Sequence, residues 1–386
     1  MKKLILLCAV MVITMTAISA PVNAVAAWAR RYGVDCSMCH WRLNRLNQTG
    51  RMFLLRGHRM PGDKGWSEDK KDLGDYVTLT SKIRYIVDRD RSATENIATE
   101  FDIEAFSLYT GGPIEKNWSY FVEQYFSERS GTTTRSKLAD AYAFYNSDPD
   151  DDTWFYARAG QIYPYQIYYY GSGGRLSIGR PSVINDVAGL GNNYTPRDRA
   201  YGVSVGRVTQ SGFLGELGII NGAGGNKTPN IRENNNHKDA YLTLEKVLDS
   251  NGSSLGAYAY KGEFKVSDTF TDKFDRFGLV GNYTNATTSI MGGALWGSHD
   301  LVAGGERDAF GYYLEVGKAF DPNWVGFVRY DYYDRDKDDA SLKIRGPVIG
   351  ASYRLGKVGR ITTEYKGYKS GSAKDRTLMT EFQWMY

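Results

Sequence analysis

From residue 76 to the C-terminus the sequence repeats one pattern: segments of about ten residues in which side-chain character alternates with a period of two. Phe310, Tyr312, Leu314 and Val316 alternate with Gly311, Tyr313, Glu315 and Gly317. Tyr201, Val203 and Val205 alternate with Gly202, Ser204 and Gly206. Leu378, Thr380, Phe382, Trp384 and Tyr386 alternate with Thr377, Met379, Glu381, Gln383 and Met385. Such a period places one set on each face of a strand, and about ten residues is what a tilted strand needs to cross a bilayer. Sixteen such segments are present, over 76–87, 100–109, 117–128, 136–146, 153–160, 200–209, 212–221 and 238–247 in the first half. The second half holds 254–263, 275–284, 288–297, 309–319, 323–333, 346–355, 358–368 and 376–386. Gaps after even-numbered segments are short, as at 209–211 and 320–323, while those after odd-numbered ones are mostly longer and polar, the longest being 161–199. An even strand number with alternating turns and loops predicts an all-β fold: a sixteen-stranded transmembrane β-barrel of the outer-membrane kind.

A soluble lectin-like sandwich would also alternate. The apolar phase here carries Tyr, Phe and Trp near many strand ends, as the interfacial girdles of a membrane barrel require. The last segment ends on the aromatic Tyr386, as chains bound for bacterial outer-membrane assembly commonly do. The composition includes 29 Tyr and 43 Gly and is 42% apolar. Past residue 24 no apolar run is long enough for a membrane helix, and aromatics are too abundant for disorder. The insertion at 161–199 resembles the constriction loop that general porins fold into their lumen. Sixteen strands also match the porins that assemble as a homotrimer.

The N-terminal part reads differently. Residues 1–24 have the form of a secretion signal, with basic Lys2 and Lys3, an apolar stretch over 4–20 and the small-residue site Val22-Asn23-Ala24. The chain that remains has 46 basic and 44 acidic residues, a balance that argues against a nucleic-acid partner. Residues 25–75 hold ten Lys/Arg against six Asp/Glu, and within 25–61 seven arginines face the single acid Asp35. A Gly/Asp/Lys stretch at 62–75 looks like a linker. The expected organisation is a signal at 1–24, a small α-helical head and linker at 25–75, and the barrel at 76–386.

The head carries Cys36-Ser37-Met38-Cys39-His40, the C-x-x-C-H signature of covalent haem c attachment. Two thiols three positions apart reach the two vinyl groups on one edge of a porphyrin, and the adjacent imidazole then lies under the iron. Cys36 and Cys39 are the only cysteines left after the signal, so no disulfide framework competes. A zinc site would need further close ligands, and a thioredoxin-like pair would need a βαβ context. His40 is thus the expected proximal iron ligand, with the imidazole of His58 or the thioether of Met60 as the distal one. A head of about fifty residues barely holds a core by itself, so part of the haem must be covered by the barrel. Arg30, Arg31, Arg42, Arg45, Arg51, Arg56 and Arg59 would then pair with haem propionates or with acidic groups facing the lumen.

The run from Trp28 to His40, with Leu46-Asn47-Gln48-Thr49-Gly50-Arg51-Met52-Phe53 and Leu55-Arg56-Gly57, resembles the fused cytochrome–porin family, which includes outer-membrane iron-oxidising cytochromes. His58 stands where the tyrosine of a Gly-Tyr pair is usual, and Trp41-Arg42-Leu43 replaces the usual Thr-x-Phe-Pro stretch. The resemblance implies one c-type haem ahead of a porin-like barrel. It implies electron transfer across the outer membrane between an extracellular donor or acceptor, such as Fe(II) or another metal, and a periplasmic c-type cytochrome or other carrier. An Fe(II)-oxidising oxidoreductase is one form of that activity; a substrate-selective porin whose haem head is a plug or sensor is the alternative. One haem cannot bridge an apolar band of about 25 Å from a periplasmic perch, so the expectation is a plugged pore with the haem near the lumen wall. Asp331, Asp334, Asp336, Asp338 and Asp339 fall in an expected outer loop with oxygen ligands for a divalent cation, and His237 and His299 fall in outer loops as well.

Overall fold

The computed structural model describes residues 27–42, 45–66, 72–89, 98–130, 133–164, 175–186, 188, 191–222, 235–300, 302, 304–357 and 359–385. The expected secretion signal lies outside the described residues, as does Tyr386. Sixteen strands form one closed sheet, each antiparallel to its sequence neighbours. The first eight are β1 (Val77–Asp88), β2 (Ala98–Pro113), β3 (Trp118–Ser130), β4 (Thr133–Asn146), β5 (Thr153–Ile162), β6 (Ala200–Thr209), β7 (Phe213–Asn221) and β8 (Lys238–Val247). The rest are β9 (Ser254–Lys265), β10 (Thr271–Thr284), β11 (Thr288–Asp300), β12 (Glu306–Ala319), β13 (Trp324–Asp334), β14 (Lys343–Leu355), β15 (Gly359–Ser370) and β16 (Ala373–Met385). β1 closes on β16, with Ile83 opposite Phe382, so the sheet has no free edge.

Every expected segment lies on a strand; the largest differences are extensions at the loop end, together with β2, which runs on to Pro113 rather than 109 at the turn end. β10 starts at Thr271 rather than 275, β12 at Glu306 rather than 309, β14 at Lys343 rather than 346, and β16 at Ala373 rather than 376. All four extensions are at the loop end and are rich in charge. Backbone pairing continues past the level at which outward side chains must be apolar, so the hydropathy signal stops before the ladder does. The same effect corrects two loop assignments. His299 lies in β11 and is fully buried, and Asp331 and Asp334 lie in β13.

Alternation sorts the side chains as a bilayer requires. Val203, Val205, Leu314 and Val328 point outward and are about half exposed, whereas Glu315, Arg329 and Asp331 point inward and are buried. Two segments pack inside the lumen. Residues 175–186, from the long insertion after β5, lie against β12–β15 and include the short helix α3 (Ser182–Asn185). Leu176 and Val183 seat where β12 has glycine: a Cβ on Gly317 would stand 2.1 Å from Leu176, and one on Gly311 2.6 Å from Val183. The second filler is the N-terminal segment, with helices α1 (Ala27–Tyr32) and α2 (Gln48–Leu55) and one 3₁₀ turn at Cys36–Met38. Its helical content is small; turns and side-chain contacts carry the rest. Met52 and Leu55 join the aromatic core of the lumen, and Trp41 joins Leu176, Val325 and Phe327.

Candidate functional site

The C-x-x-C-H loop is held on the N-terminus of α2. Asn47 caps the helix, its side-chain oxygen accepting from the Gly50 N–H at 3.0 Å. The same side chain donates to the Met38 carbonyl at 3.0 Å, and the Asn47 N–H donates to the Cys39 carbonyl at 3.0 Å. Gly50 permits this contact, because a Cβ there would lie 2.2 Å from the Cys39 oxygen. At the front of the loop Asp35 accepts from the Ser37 N–H at 3.1 Å, and that bond holds its carboxyl below the usual range. Arg354, whose guanidinium lies 3.7 Å from Asp35, adds to the effect.

The head docks on the short-turn end, strand pair by strand pair. Arg30 donates to the carbonyls of Gly74 and Val77, and the Ala27 N–H to Thr78 Oγ1. Arg59 donates to Glu115 and Lys116 between β2 and β3. Arg56 donates to Pro149 between β4 and β5 and to Gln210 between β6 and β7. The Gln48 N–H reaches Ser250 between β8 and β9, and the Trp41 indole reaches Asn285 between β10 and β11 at 2.6 Å. Deeper in, Arg51 pairs with Glu245 and Arg45 with Glu315. Most of the arginine cluster therefore binds turn carbonyls and lumen carboxylates.

Cys36 and His40 line a cleft at the turn end that opens to solvent. The barrel side of the cleft is Pro322, Arg354, Lys357, Arg360, Gln383 and Met385; Trp41 and Arg42 complete it. Cys39 lies beside Cys36, and the two thiols are not bridged. Burial, with a smaller contribution from Cys36, pushes the Cys39 thiol up to about 11. Arg42 Nε and Arg360 Nε and Nη1 are buried without a hydrogen-bond partner among the described residues, as is Gln383 Oε1.

His58 and Met60 are not part of that cleft. His58 follows α2 with a left-handed backbone, φ 62°, and its ring stacks between Trp28 and Phe121 at 5.3 and 4.8 Å. Its Nε2 meets the Tyr142 hydroxyl at 3.2 Å on β4, and burial pushes its pKa down to about 3, helped by Arg158. The structure thus brings Cys36, Cys39 and His40 together and sets His58 in an aromatic cage on another part of the wall. The acidic group does not converge either. Asp331 pairs with Arg329 inside the lumen, Asp334 with Lys343, and Asp338 and Ser341 N–H groups are satisfied by Asp336 and Asp339. His299 donates from Nδ1 to Asp272 at 2.7 Å and accepts at Nε2 from Arg276, while His237 stands 3.7 Å from Glu263 at the surface. Met385 and Arg360 went unremarked in the sequence, although the inward phase of the terminal strands contained them.

No protein-family model matches the sequence, and no curated protein does. The fold does have solved counterparts. The anion-selective porin from Comamonas acidovorans superimposes with a TM-score of 0.61 at 11% identity, over 80% of this chain and 98% of that one. The outer membrane channel DcaP of Acinetobacter baumannii gives 0.59 at 12% identity, over 81% and 96%. The trimer form of OmpT from Vibrio cholerae gives 0.55 at 12% identity, over 80% and 99%.

The barrel is porin-like. At such low identity the likeness is one of fold, and it covers the porin half of the resemblance read from the sequence; no comparison matches the cytochrome half. Residues 175–186 pack inside this porin-like barrel, and the head packs into it from the turn end. The two meet at Glu315, which accepts from Arg45 at 2.7 Å, from the Leu176 N–H at 2.9 Å and from the Ser177 hydroxyl at 2.9 Å.

Proposed function

We propose that this chain sits in a bacterial outer membrane with its turn end toward the periplasm, and that residues 27–66 plug the periplasmic mouth. We propose further that the plug carries one haem c, bound covalently through Cys36 and Cys39 with His40 as axial ligand. The observation that carries this reading is the cleft. The C-x-x-C-H loop faces basic groups of which Arg42 Nε and Arg360 Nε and Nη1 are buried without acceptors among the described residues, Arg360 Nη2 being 3.8 Å from Glu381, which suits a ligand with carboxylates such as the haem propionates. Trp41 and Pro322 supply apolar cover. A haem held there would supply a one-electron iron couple at the periplasmic face. Asn47 and Gly50 keep the attachment loop in place, and Asp35 ties it to the β14 end through Arg354. The protein would then pass electrons between a periplasmic carrier and a donor or acceptor, such as ferrous iron, that enters from outside.

A second reading has its own support. The solved neighbours are named as porins and channels, and they speak for a substrate-selective porin, a homotrimer among its forms, more directly than for electron transfer. On that reading the head is a plug or sensor without redox throughput. Sealed proteoliposomes separate the two. Ferrous iron added outside should reduce a thioether-bound haem, assayed as its pyridine haemochrome, without a matching ion leak. Haem that stays oxidised while ions pass freely, or the absence of haem, would leave the porin reading in possession.

A further inference from the structure

Resting on the haem reading above, we propose that Met385 supplies the sixth ligand of the haem iron, so that the last barrel strand completes the coordination begun by His40 in the head. The side of β16 on which Met385 lies follows from its strand. Thr377 and Glu381 are buried in the lumen and Glu381 binds Arg84 at 2.7 Å, whereas Leu378 is exposed outside. Period-two alternation then places Gln383 and Met385 on the lumen side, and both line the cleft shared by Cys36 and His40. Met385 stands at the turn end of β16, opposite Thr80 of β1.

The other thioethers and imidazoles of the head do not line that cleft. Met52 is packed in the aromatic core, Met38 is half exposed, and Met60 does not reach the cleft. His58 is stacked between Trp28 and Phe121 with its Nε2 on Tyr142. A thioether is a soft, neutral donor that iron accepts opposite histidine, and it raises the reduction potential relative to a second imidazole. A ligand taken from the barrel wall would also make correct spin state depend on a correctly docked head.

The test uses the full-length protein refolded or purified in detergent, with haemochrome assay and heat-modifiable gel mobility establishing haem and fold. The oxidised wild type should show the weak long-wavelength charge-transfer band of a thioether on ferric iron and a low-spin paramagnetic spectrum. Met385→Leu should keep its covalent haem and lose that band, and Met385→His should restore a low-spin centre with a bis-imidazole spectrum and a lower potential. Met60→Leu and His58→Asn should leave the band unchanged. A wild type that holds haem without the band, or a band that survives Met385→Leu and vanishes in Met60→Leu, would overturn the assignment and leave the haem reading intact. A wild type without haem would overturn both.

Discussion

His58 was a candidate iron ligand on sequence grounds because it is an imidazole eighteen residues past His40. Its surroundings give it a different role. The ring is enclosed by Trp28, Phe121 and Phe53, and its left-handed backbone, costly by about 1 kcal/mol for a residue with a Cβ, is held by contacts on every side. Burial depresses its pKa to about 3, against about 6.5 in an unfolded chain. The unfolded state therefore binds the extra proton first, and the contribution of neutral His58 is complete above pH 6.5 and declines as the pH falls toward 3. Protease cleavage within residues 27–66 should rise between pH 6.5 and 4, and His58→Asn, which tolerates the left-handed backbone but cannot titrate, should flatten that dependence. A wild-type profile as flat as the variant's would contradict the assignment.

Between elements, the decisive contacts are buried ion pairs that no local pattern announces. Glu315 of β12 receives Arg45 from the head and the Leu176 and Ser177 groups from residues 175–186, with Arg329 of β13 at 3.7 Å. Removing its charge takes the carboxylate from the buried Arg45 guanidinium, while Arg329 keeps Asp331; breaking one partner of a comparable buried pair costs about 3–5 kcal/mol. Glu315→Gln should lower the thermal midpoint and open both the head and 175–186 to protease, since both hang on the same carboxylate. Cleavage confined to one of them would show that the anchor is not shared. The strands themselves were readable because each carries its own hydropathy phase. Their loop-end extensions were not, because beyond the apolar band only the hydrogen-bond ladder marks a strand, as at 271–274 and 306–308.

At the scale of the molecule, the head and the loop fill a barrel whose wall is complete without them, since β1 pairs with β16 directly. Deleting residues 27–66 should therefore leave a heat-modifiable barrel and raise single-channel conductance several-fold in planar bilayers. An unchanged conductance would mean that residues 175–186 alone set the path. The sequence by itself determined the number and phase of the strands and the thiol–imidazole spacing, because both are written in neighbours a few residues apart. Where the head docks, and which side chain faces which, was decided by tertiary structure alone. Arg45 finds Glu315 across 270 positions, and Met385 comes beside Cys36 only because the barrel closes and carries its last strand past the mouth that the head fills.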